Sequence, residues 1–153
     1  MLKKTMTYTD FNGEEKTEDF YFHLTEAEVA NMEIDSEGGM SNKLRRIINS
    51  KDTTKLKEYF QSIILKAYGE KTDDGKHFIK NDKVSEMFSY TQAYSDLWME
   101  LITDADAAAK FVEGIMPEKI LEEAKKSNPE EYNKAMGAIA AVKEDKPIPS
   151  ITD

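Results

Sequence analysis

The sequence predicts an α+β fold that is predominantly α-helical, with an N-terminal β-hairpin docked on a helical bundle. Two runs rich in Thr, Tyr and Phe, residues 5–11 and 16–22, flank Asn12-Gly13, which is a strong signal for a hairpin. Beyond residue 25, apolar residues recur at spacings of three and four, the period of an amphipathic helix. An isolated hairpin is only marginally stable, so we expect it to pack on the helices.

The register of this hairpin follows from the side chains that should share its buried face. A two-residue turn would put Met6 and Tyr8 on the face opposite Phe20 and Phe22. We therefore predict a three-residue loop, which places these apolar side chains on one face. The cross-strand pairs are then Phe20 with Met6, Thr17 with Thr9, and Lys16 with Asp10.

Capping residues predict where the helices begin. The predicted caps are Thr25 in a capping box with Glu28, then Ser41, Asp52, Asn81 and Thr91, and a weaker box at Thr103-Asp104-Ala105-Asp106. The first helix should stop before Gly38-Gly39, and the helix from Asp52 should end with Gly69 at its C′ position. Residues 71–80 are predicted to form a loop anchored by Phe78, with a turn at Asp73-Asp74-Gly75 and a short extended or irregular run at His77-Phe78-Ile79.

The helical stripes also predict the core. Its expected members are Leu56, Phe60, Ile63, Ile64, Ala67, Val84, Met87, Phe88, Leu97, Trp98, Leu101, Ile102, Phe111, Val112 and Ile115. We expect residues 1–116 to form the hairpin and helical core domain. Residues 117–143 should form C-terminal helices, starting at Pro117 and again at Pro129, that are mobile until self-assembly or a partner orders them. Residues 144–153 are predicted to be a flexible tail.

Composition excludes several classes of function. A formal charge of −9 and a pI near 4.8 disfavour nucleic-acid binding, because the chain would repel phosphates. The absence of cysteine excludes disulfides and thiolate chemistry. Residues 1–8 lack the apolar region of a signal peptide, and no apolar run approaches about 18 residues. We therefore expect a protein that is neither secreted nor membrane-spanning.

Candidate catalytic and metal-binding residues are sparse. His23 and His77 have no nucleophile or carboxylate at a recognised spacing. Asp73 and Asp74 near Asn81 fit a turn better than a cation loop, since the spacing of a calcium-binding loop is absent. Asp104 and Asp106 fit helix capping better than a carboxylate pair, and the glycines form no phosphate cradle. We expect no enzyme, cofactor or metal. An enzyme would need a pocket joining His77 with Asp73, Asp74 or Glu100.

Three features are candidate protein-binding sites. Lys43, Arg45 and Arg46, with Lys51 and Lys55 nearby, form a basic cluster that we interpret as a solvated face, with an acidic partner as the alternative. Tyr90 falls between two predicted caps and Tyr94 at the edge of the Leu97/Trp98 stripe, so both are candidate exposed aromatic anchors. The amphipathic C-terminal helices supply four more candidates: Ile120, Leu121, Tyr132 and Met136.

Several segments resemble one known family. They are ILKAYGEK at 64–71, DGKHFIK at 74–80, TQAY at 91–94 and MELITD at 99–104, with TMTYTDFNG at 5–13, EDFYF at 18–22, AAAKF at 107–111 and GIMP at 114–117. These segments, spanning residues 2–117, are similar to the tail assembly chaperones of long-tailed phages, the siphophages of Gram-positive bacteria.

The resemblance implies a helical protein of the host cell cytoplasm, absent from the mature virion. It would bind the tape measure protein and keep it soluble while the tail tube assembles. Further implied partners are the tail tube protein, a longer frameshifted form of the same chain, and other copies of the chain in a homo-oligomer. Neither a catalytic residue nor a cofactor is implied.

The alternative is an acidic helical phage protein that inhibits or mimics a host partner, which the net charge supports. A mimic of DNA would present carboxylates in a double-helical array. Here Lys and Arg are interspersed along nearly every predicted helix, which disfavours that alternative.

Overall fold

The computed structural model describes residues 1–36, 38–127, 129–130 and 133. The elements, in chain order, are β1 (Leu2–Thr9), β2 (Glu15–Phe22), α1 (Glu26–Asp35), α2 (Met40–Ser50), α3 (Thr53–Ala67), β3 (Tyr68–Lys71), β4 (Phe78–Ile79), α4 (Asp82–Ser89), α5 (Gln92–Thr103), α6 (Ala105–Ile115) and α7 (Glu118–Ser127). This architecture confirms the predicted α+β fold, in which helices predominate and the N-terminal hairpin packs on them. No described helix combines the length and apolar character needed to cross a membrane.

The sheet is antiparallel in the order β1-β2-β3-β4, so a second hairpin extends the first. β2 meets β3 through Tyr21 opposite Gly69 and Phe22 opposite Tyr68. The predicted loop over residues 71–80 is therefore wrong at Lys71, which pairs with Phe78. The turn at Asp73-Asp74-Gly75 is confirmed, and β4 corresponds to the extended alternative predicted for residues 77–79. A strand of only two residues, Phe78–Ile79, is too short to show a two-residue alternation in the sequence.

Gly69 occupies the predicted C′ position of α3, because it directly follows the C-cap residue. It does not adopt the left-handed conformation usual at that position, however, and lies in β3. α3 ends at Ala67, and Tyr68 caps it with extended backbone. The absence of a side chain at Gly69 allows the Phe78 ring to lie directly over the strand. A Cβ atom at this position would sit 2.8 Å from Cζ of Phe78.

The predicted loop length of the first hairpin is correct, but its position is wrong by one residue. The amide of Asp10 donates to the carbonyl of Glu14 at 2.8 Å, which leaves Phe11-Asn12-Gly13 as the loop. The carboxylate of Asp10 accepts from the amides of Asn12 and Glu14, both at 2.9 Å, and Gly13 supplies the positive φ of 83°. These contacts stabilise the observed loop over the predicted one.

Each predicted cross-strand pair is consequently displaced by two residues. The observed pairs include Lys4 with Phe20, Met6 with Glu18, Thr7 with Thr17 and Tyr8 with Lys16. A shift by two keeps every side chain on its predicted face, so Met6, Phe20 and Phe22 are buried together. Lys16 still reaches Asp10, with 3.2 Å between Nζ and Oδ2.

Most of the predicted helix starts are confirmed. Thr25 and Glu28 form the capping box, and Asp52, Asn81 and Thr91 each accept a backbone N–H from their helices. Two predictions are wrong. α2 begins at Met40, ahead of Ser41, and Thr103 does not cap α6, because its hydroxyl donates to the Met99 carbonyl at 2.6 Å. The cap of α6 is Asp104, which confirms the capping role predicted for that residue.

The core is centred on Phe22, which is fully buried and meets three rings edge-on: Tyr68, Phe88 and Phe111, with centroid distances of 5.7, 5.8 and 5.1 Å. Tyr68 and Phe88 stack at 4.0 Å. The helical stripes supply the remaining buried positions as predicted, among them Phe60, Ile64, Leu97, Leu101 and Ile115. The core therefore lies between the sheet and α3 to α6.

Met87 departs most from the predicted core, because it is 58% exposed. Of the other predicted core residues, those that are only half-buried are Ile63, Trp98 and Val112, which pack against the core, and Val84 and Ile102. α4 faces the core with Phe88, and the Ser85 hydroxyl donates to the Leu65 carbonyl of α3 at 3.0 Å. These contacts fix the rotation of the helix, and Met87 is left on its outer side.

The packing around residue 117 does not test the predicted division of the chain there. Pro117 is buried, its carbonyl accepts from the Leu121 amide at 3.0 Å, and Ile120 packs against the core. The division between 1–116 and 117–143 and the mobility of the latter stay predictions, and residues 144–153 lie outside the described part of the chain.

Candidate protein-binding surfaces

The two predicted aromatic anchors occupy different environments. Tyr90 follows the last turn of α4, is 61% exposed, and donates its hydroxyl to Glu86 one turn earlier. That hydrogen bond raises the pKa of Tyr90. Tyr94 is half-buried, with its ring edge-on to Phe88 at 5.6 Å, and burial raises its pKa. Tyr90 is thus available to a partner, whereas Tyr94 supports the core beneath it.

The C-terminal candidates are only partly described. Ile120 and Leu121 of α7 are both half-buried, and Ile120 packs on the core. Tyr132 and Met136 lie outside the described residues. The structure therefore locates two of the four candidates, at the boundary between the core and the surface.

A surface that the sequence did not indicate is formed by Met87 together with Tyr90, here called the α4 patch. The two residues are three apart, at 58% and 61% exposure, so they lie on neighbouring turns of one helix side. The spacing of Met87 suggested a core position, and only the packing of Phe88 and Ser85 shows otherwise. The α4 patch is a short apolar surface on an acidic protein.

The tip of the first hairpin, residues 10–15, carries a second exposed apolar side chain. Phe11 is 77% exposed, and the tip also holds the carboxylates of Asp10, Glu14 and Glu15. The pKa of Asp10 is lowered, chiefly by the hydrogen bond that its carboxylate accepts from the Glu14 amide. The hydrogen bond from Lys16 lowers this pKa further. The correct register would have identified Phe11 as a loop residue. The tip is therefore an anionic surface with one protruding ring.

Behind the tip, Tyr8 donates its hydroxyl to Glu18 across the strands. This hydrogen bond is the main cause that raises the pKa of Tyr8 to about 12, with desolvation and the charges of Glu18 and Asp10 adding to it. Thr7 and Thr17 join their hydroxyls at 2.9 Å on the opposite face. Side-chain hydrogen bonds on both faces thus support the exposed end of the hairpin.

The basic cluster contributes to a groove between α2 and α3, here called the α2–α3 groove. Its volume is about 600 Å³, and it is lined by Lys43, Arg46, Ile47, Ser50, Lys55, Glu58, Tyr59 and Ser62. The lining thus holds three cationic side chains and one carboxylate. The Lys43 amine lies 5.1 Å from the centroid of the Tyr59 ring, and burial raises the pKa of this tyrosine.

A smaller cleft of about 180 Å³ adjoins the groove and shares Lys43, Tyr59 and Ser62 with it. Lys66 adds a further cation there, and Asp35 a carboxylate. Three members of the basic cluster, Lys43, Arg46 and Lys55, therefore line a concave surface.

Two of the residues considered for catalysis, Asp74 and Glu100, make side-chain contacts within the fold. The Asp74 carboxylate accepts from the Thr72 hydroxyl at 2.7 Å and from the Lys76 amide at 3.0 Å, which lowers its pKa and shapes the β3–β4 turn. His77 is exposed in this turn, whereas Glu100 of α5 pairs with Lys4 of β1 at 2.8 Å. Over the described residues, no group of three or more His, Asp or Glu side chains is arranged to hold a metal ion.

His23 is the remaining titratable side chain in an unusual setting. Its Nδ1 atom is buried with no hydrogen-bond partner among the described residues, and desolvation lowers the pKa of the ring. The His23 carbonyl accepts from the Lys80 amine, which also bonds both carboxylate oxygens of Glu28, at 2.9 and 2.8 Å. This cluster ties β2, α1 and the end of β4 together.

A family model for phage tail assembly chaperones matches residues 1–150 of the 153 in this chain. The match extends beyond Pro117, where the resemblance in the sequence ended, and it covers α7 and nearly all of the residues after α7. No curated protein and no solved structure matches the chain.

Proposed function

Because the chain belongs to the phage tail assembly chaperone family, we propose that it binds the tape measure protein and keeps this protein soluble while the tail tube assembles. The observation that carries this proposal is the α4 patch, where Met87 and Tyr90 are both more than half exposed. Side chains of this kind are enriched at the centres of protein interfaces.

The physical argument begins with the client. A long, helix-rich protein that awaits its tube exposes apolar helix faces, and exposed apolar surfaces of this kind aggregate. Met87 and Tyr90 of the α4 patch are three residues apart, a helical spacing, so they can pack together against one turn of an apolar helix face of the client. Methionine adapts to clients of varied shape because its side chain is unbranched and flexible.

The net negative charge of the chain would help to keep the complex with the client soluble. A net charge of −9 keeps a complex dispersed by mutual repulsion, even when the client itself is prone to associate. The charge does not favour a DNA mimic, since the cationic lining of the α2–α3 groove interrupts any continuous carboxylate array.

The proposal includes further contacts and partners. Tyr94 would act by supporting Phe88 beneath the α4 patch, and Ile120, Leu121, Tyr132 and Met136 would add contacts from the C-terminal segment. We propose the tail tube protein and a frameshifted longer form of the chain as additional partners. The complex would form in the host cell cytoplasm and leave no copy of the chaperone in the mature virion.

Co-expression with the tape measure protein from the same genome tests the proposal, with pull-down and the soluble fraction of the client as readouts. We expect wild type to copurify and to raise the soluble fraction, and Met87→Ser with Tyr90→Ser to weaken both effects. Met99→Ser is the matched control, because Met99 is 52% exposed on α5 and lies outside the α4 patch. A client that is equally soluble alone and does not copurify would refute the proposal.

A further inference from the structure

We propose that the chain self-associates by inserting the hairpin tip of one copy into the α2–α3 groove of another. The inference goes beyond client binding, since it concerns two surfaces of this chain that the α4 patch does not include. It rests on the exposure of Phe11, on the shape of the groove and on the opposite charges of the two surfaces.

Phe11 is the first observation. A phenylalanine at 77% exposure leaves most of a large apolar ring in water, although the rest of the hairpin keeps its apolar side chains on the buried face. The loop that presents this ring is well defined, because the Asp10 carboxylate accepts two backbone amides within it. The ordered loop therefore holds the ring outward, so binding through Phe11 would cost little loop entropy.

The α2–α3 groove is the second observation. Its volume of about 600 Å³ is far larger than one aromatic side chain, and Ile47 and Tyr59 give it apolar walls. Tyr59 already holds the Lys43 amine against its ring, so the groove combines an aromatic surface with a cation at its edge. Such a site suits an aromatic side chain that is flanked by carboxylates.

Charge complementarity selects the occupant. The tip presents Glu14 and Glu15, both exposed, whereas the groove presents Lys43 and Lys55 against the carboxylate of Glu58. On a chain with a net charge of −9, two copies repel at long range unless a local cationic surface meets an anionic one. The tip offers the groove an exposed ring together with the carboxylates of Glu14 and Glu15, whereas the carboxylate beside the exposed ring of Tyr90, that of Glu86, already accepts the Tyr90 hydroxyl.

The contact joins unlike surfaces, so each copy can donate its tip and accept another. Association of this kind builds rings or open chains of copies, with a mass that depends on concentration. Added salt should weaken it, because screening at about 0.1 M acts over roughly 10 Å.

Sedimentation equilibrium of the purified full chain provides the test, over concentrations up to about 1 mM, the weak end of specific binding. We expect concentration-dependent self-association of wild type. Phe11→Ser and Lys55→Glu should each weaken it at least about tenfold, the effect of losing a central interface contact. Lys83→Glu is the matched control, because Lys83 is likewise exposed in the first turn of a helix and the charge change is the same.

A charge exchange makes the test specific to the two surfaces. Glu15→Lys alone should weaken association, and Glu15→Lys combined with Lys55→Glu should restore it towards the wild-type constant. Neither substitution removes a buried side chain or a cap, and circular dichroism verifies that each variant is folded.

Three results would overturn the proposal. The first is a wild-type chain that stays monomeric at every concentration, and the second is an equal effect of Lys55→Glu and Lys83→Glu. The third is a monomeric chain whose binding to the tape measure protein is lost in Lys55→Glu and kept in Lys83→Glu, which would make the client the occupant of the groove. Self-association is measured without the client, so its failure leaves the solubility test of the α4 patch unaffected.

Discussion

Replacement of Gly69 by alanine should destabilise the fold through a single methyl group. The new Cβ would lie 2.8 and 2.9 Å from two ring atoms of Phe78 and 3.0 Å from Cγ of Lys80. Overpacking of this kind costs about 1–3 kcal/mol, and the smaller entropy of the unfolded alanine chain returns about 0.4–1 kcal/mol. The net loss is then on the order of 1–2 kcal/mol, a decrease in the melting temperature of about 2–8 °C for a chain of this length.

Relief of the clash requires movement of the Phe78 ring, and β4 consists of Phe78 and Ile79 alone. We therefore expect faster amide hydrogen exchange at residues 70–79 in addition to the lower free energy of unfolding measured in urea. Gly114→Ala is the control, because its Cβ would meet the flexible end of Leu2 at 3.1 Å and alanine favours the α6 helix. Equal stability of Gly69→Ala and wild type would show that the ring does not pack as described.

Three further predictions concern the core, a helix cap and the hairpin. Phe22→Ala should cost about 3–5 kcal/mol in urea unfolding, since it empties the fully buried centre of the aromatic cluster, and Phe22→Leu should cost clearly less. Asn81→Ala should cost about 1 kcal/mol by removing the oxygen that accepts the Val84 amide, whereas Asn81→Asp should retain most of the stability in the same assay. The hydrogen bond to Glu18 raises the pKa of Tyr8 from 10.0 to about 12 in the folded protein. The stability that this hydrogen bond contributes is therefore complete below pH 10 and is lost as the pH rises towards 12. The ultraviolet titration of tyrosine should therefore lose its highest step in Tyr8→Phe, and an unchanged titration would place that ionisation elsewhere.

Local signals in the sequence predicted much of the fold because local contacts decide those features. Thr25 and Glu28 cap each other within one turn, and Asp52, Asn81 and Thr91 act on amides three residues ahead. Met6, Phe20 and Phe22 share one face because side chains alternate along a strand. This result does not change when the register shifts by two residues. Family membership was likewise visible in short segments, and the family model confirms it over nearly the whole chain.

Most of the failures lie where nonlocal contacts decide the outcome, and the hairpin register is the exception, because the contacts that decide it lie within the loop. The register depended on whether the Asp10 side chain would bind the loop, an energy that residue types alone leave open. β3 forms because Tyr68 pairs with Phe22 across the sheet. Gly69 follows the end of α3 as predicted, but it also lies in this strand, with the Phe78 ring packed over it. The environments of Met87 and Tyr94 depend on the rotation of α4 and α5 against the core, which no single helix specifies.

The same dependence explains why the candidate surfaces were only partly predictable, and it has a functional consequence. Phe88 and Ser85 hold α4 so that Met87 and Tyr90 face outward, whereas the Asp10 loop holds Phe11 outward at the end of a different element. The α4 patch and the hairpin tip are thus positioned by separate contacts and can be altered separately. Variants of Met87 and Tyr90 should therefore impair client solubility without changing self-association, and Phe11→Ser should do the reverse. A chaperone whose two activities rise and fall together in all of these variants would instead bind its client through the assembled oligomer.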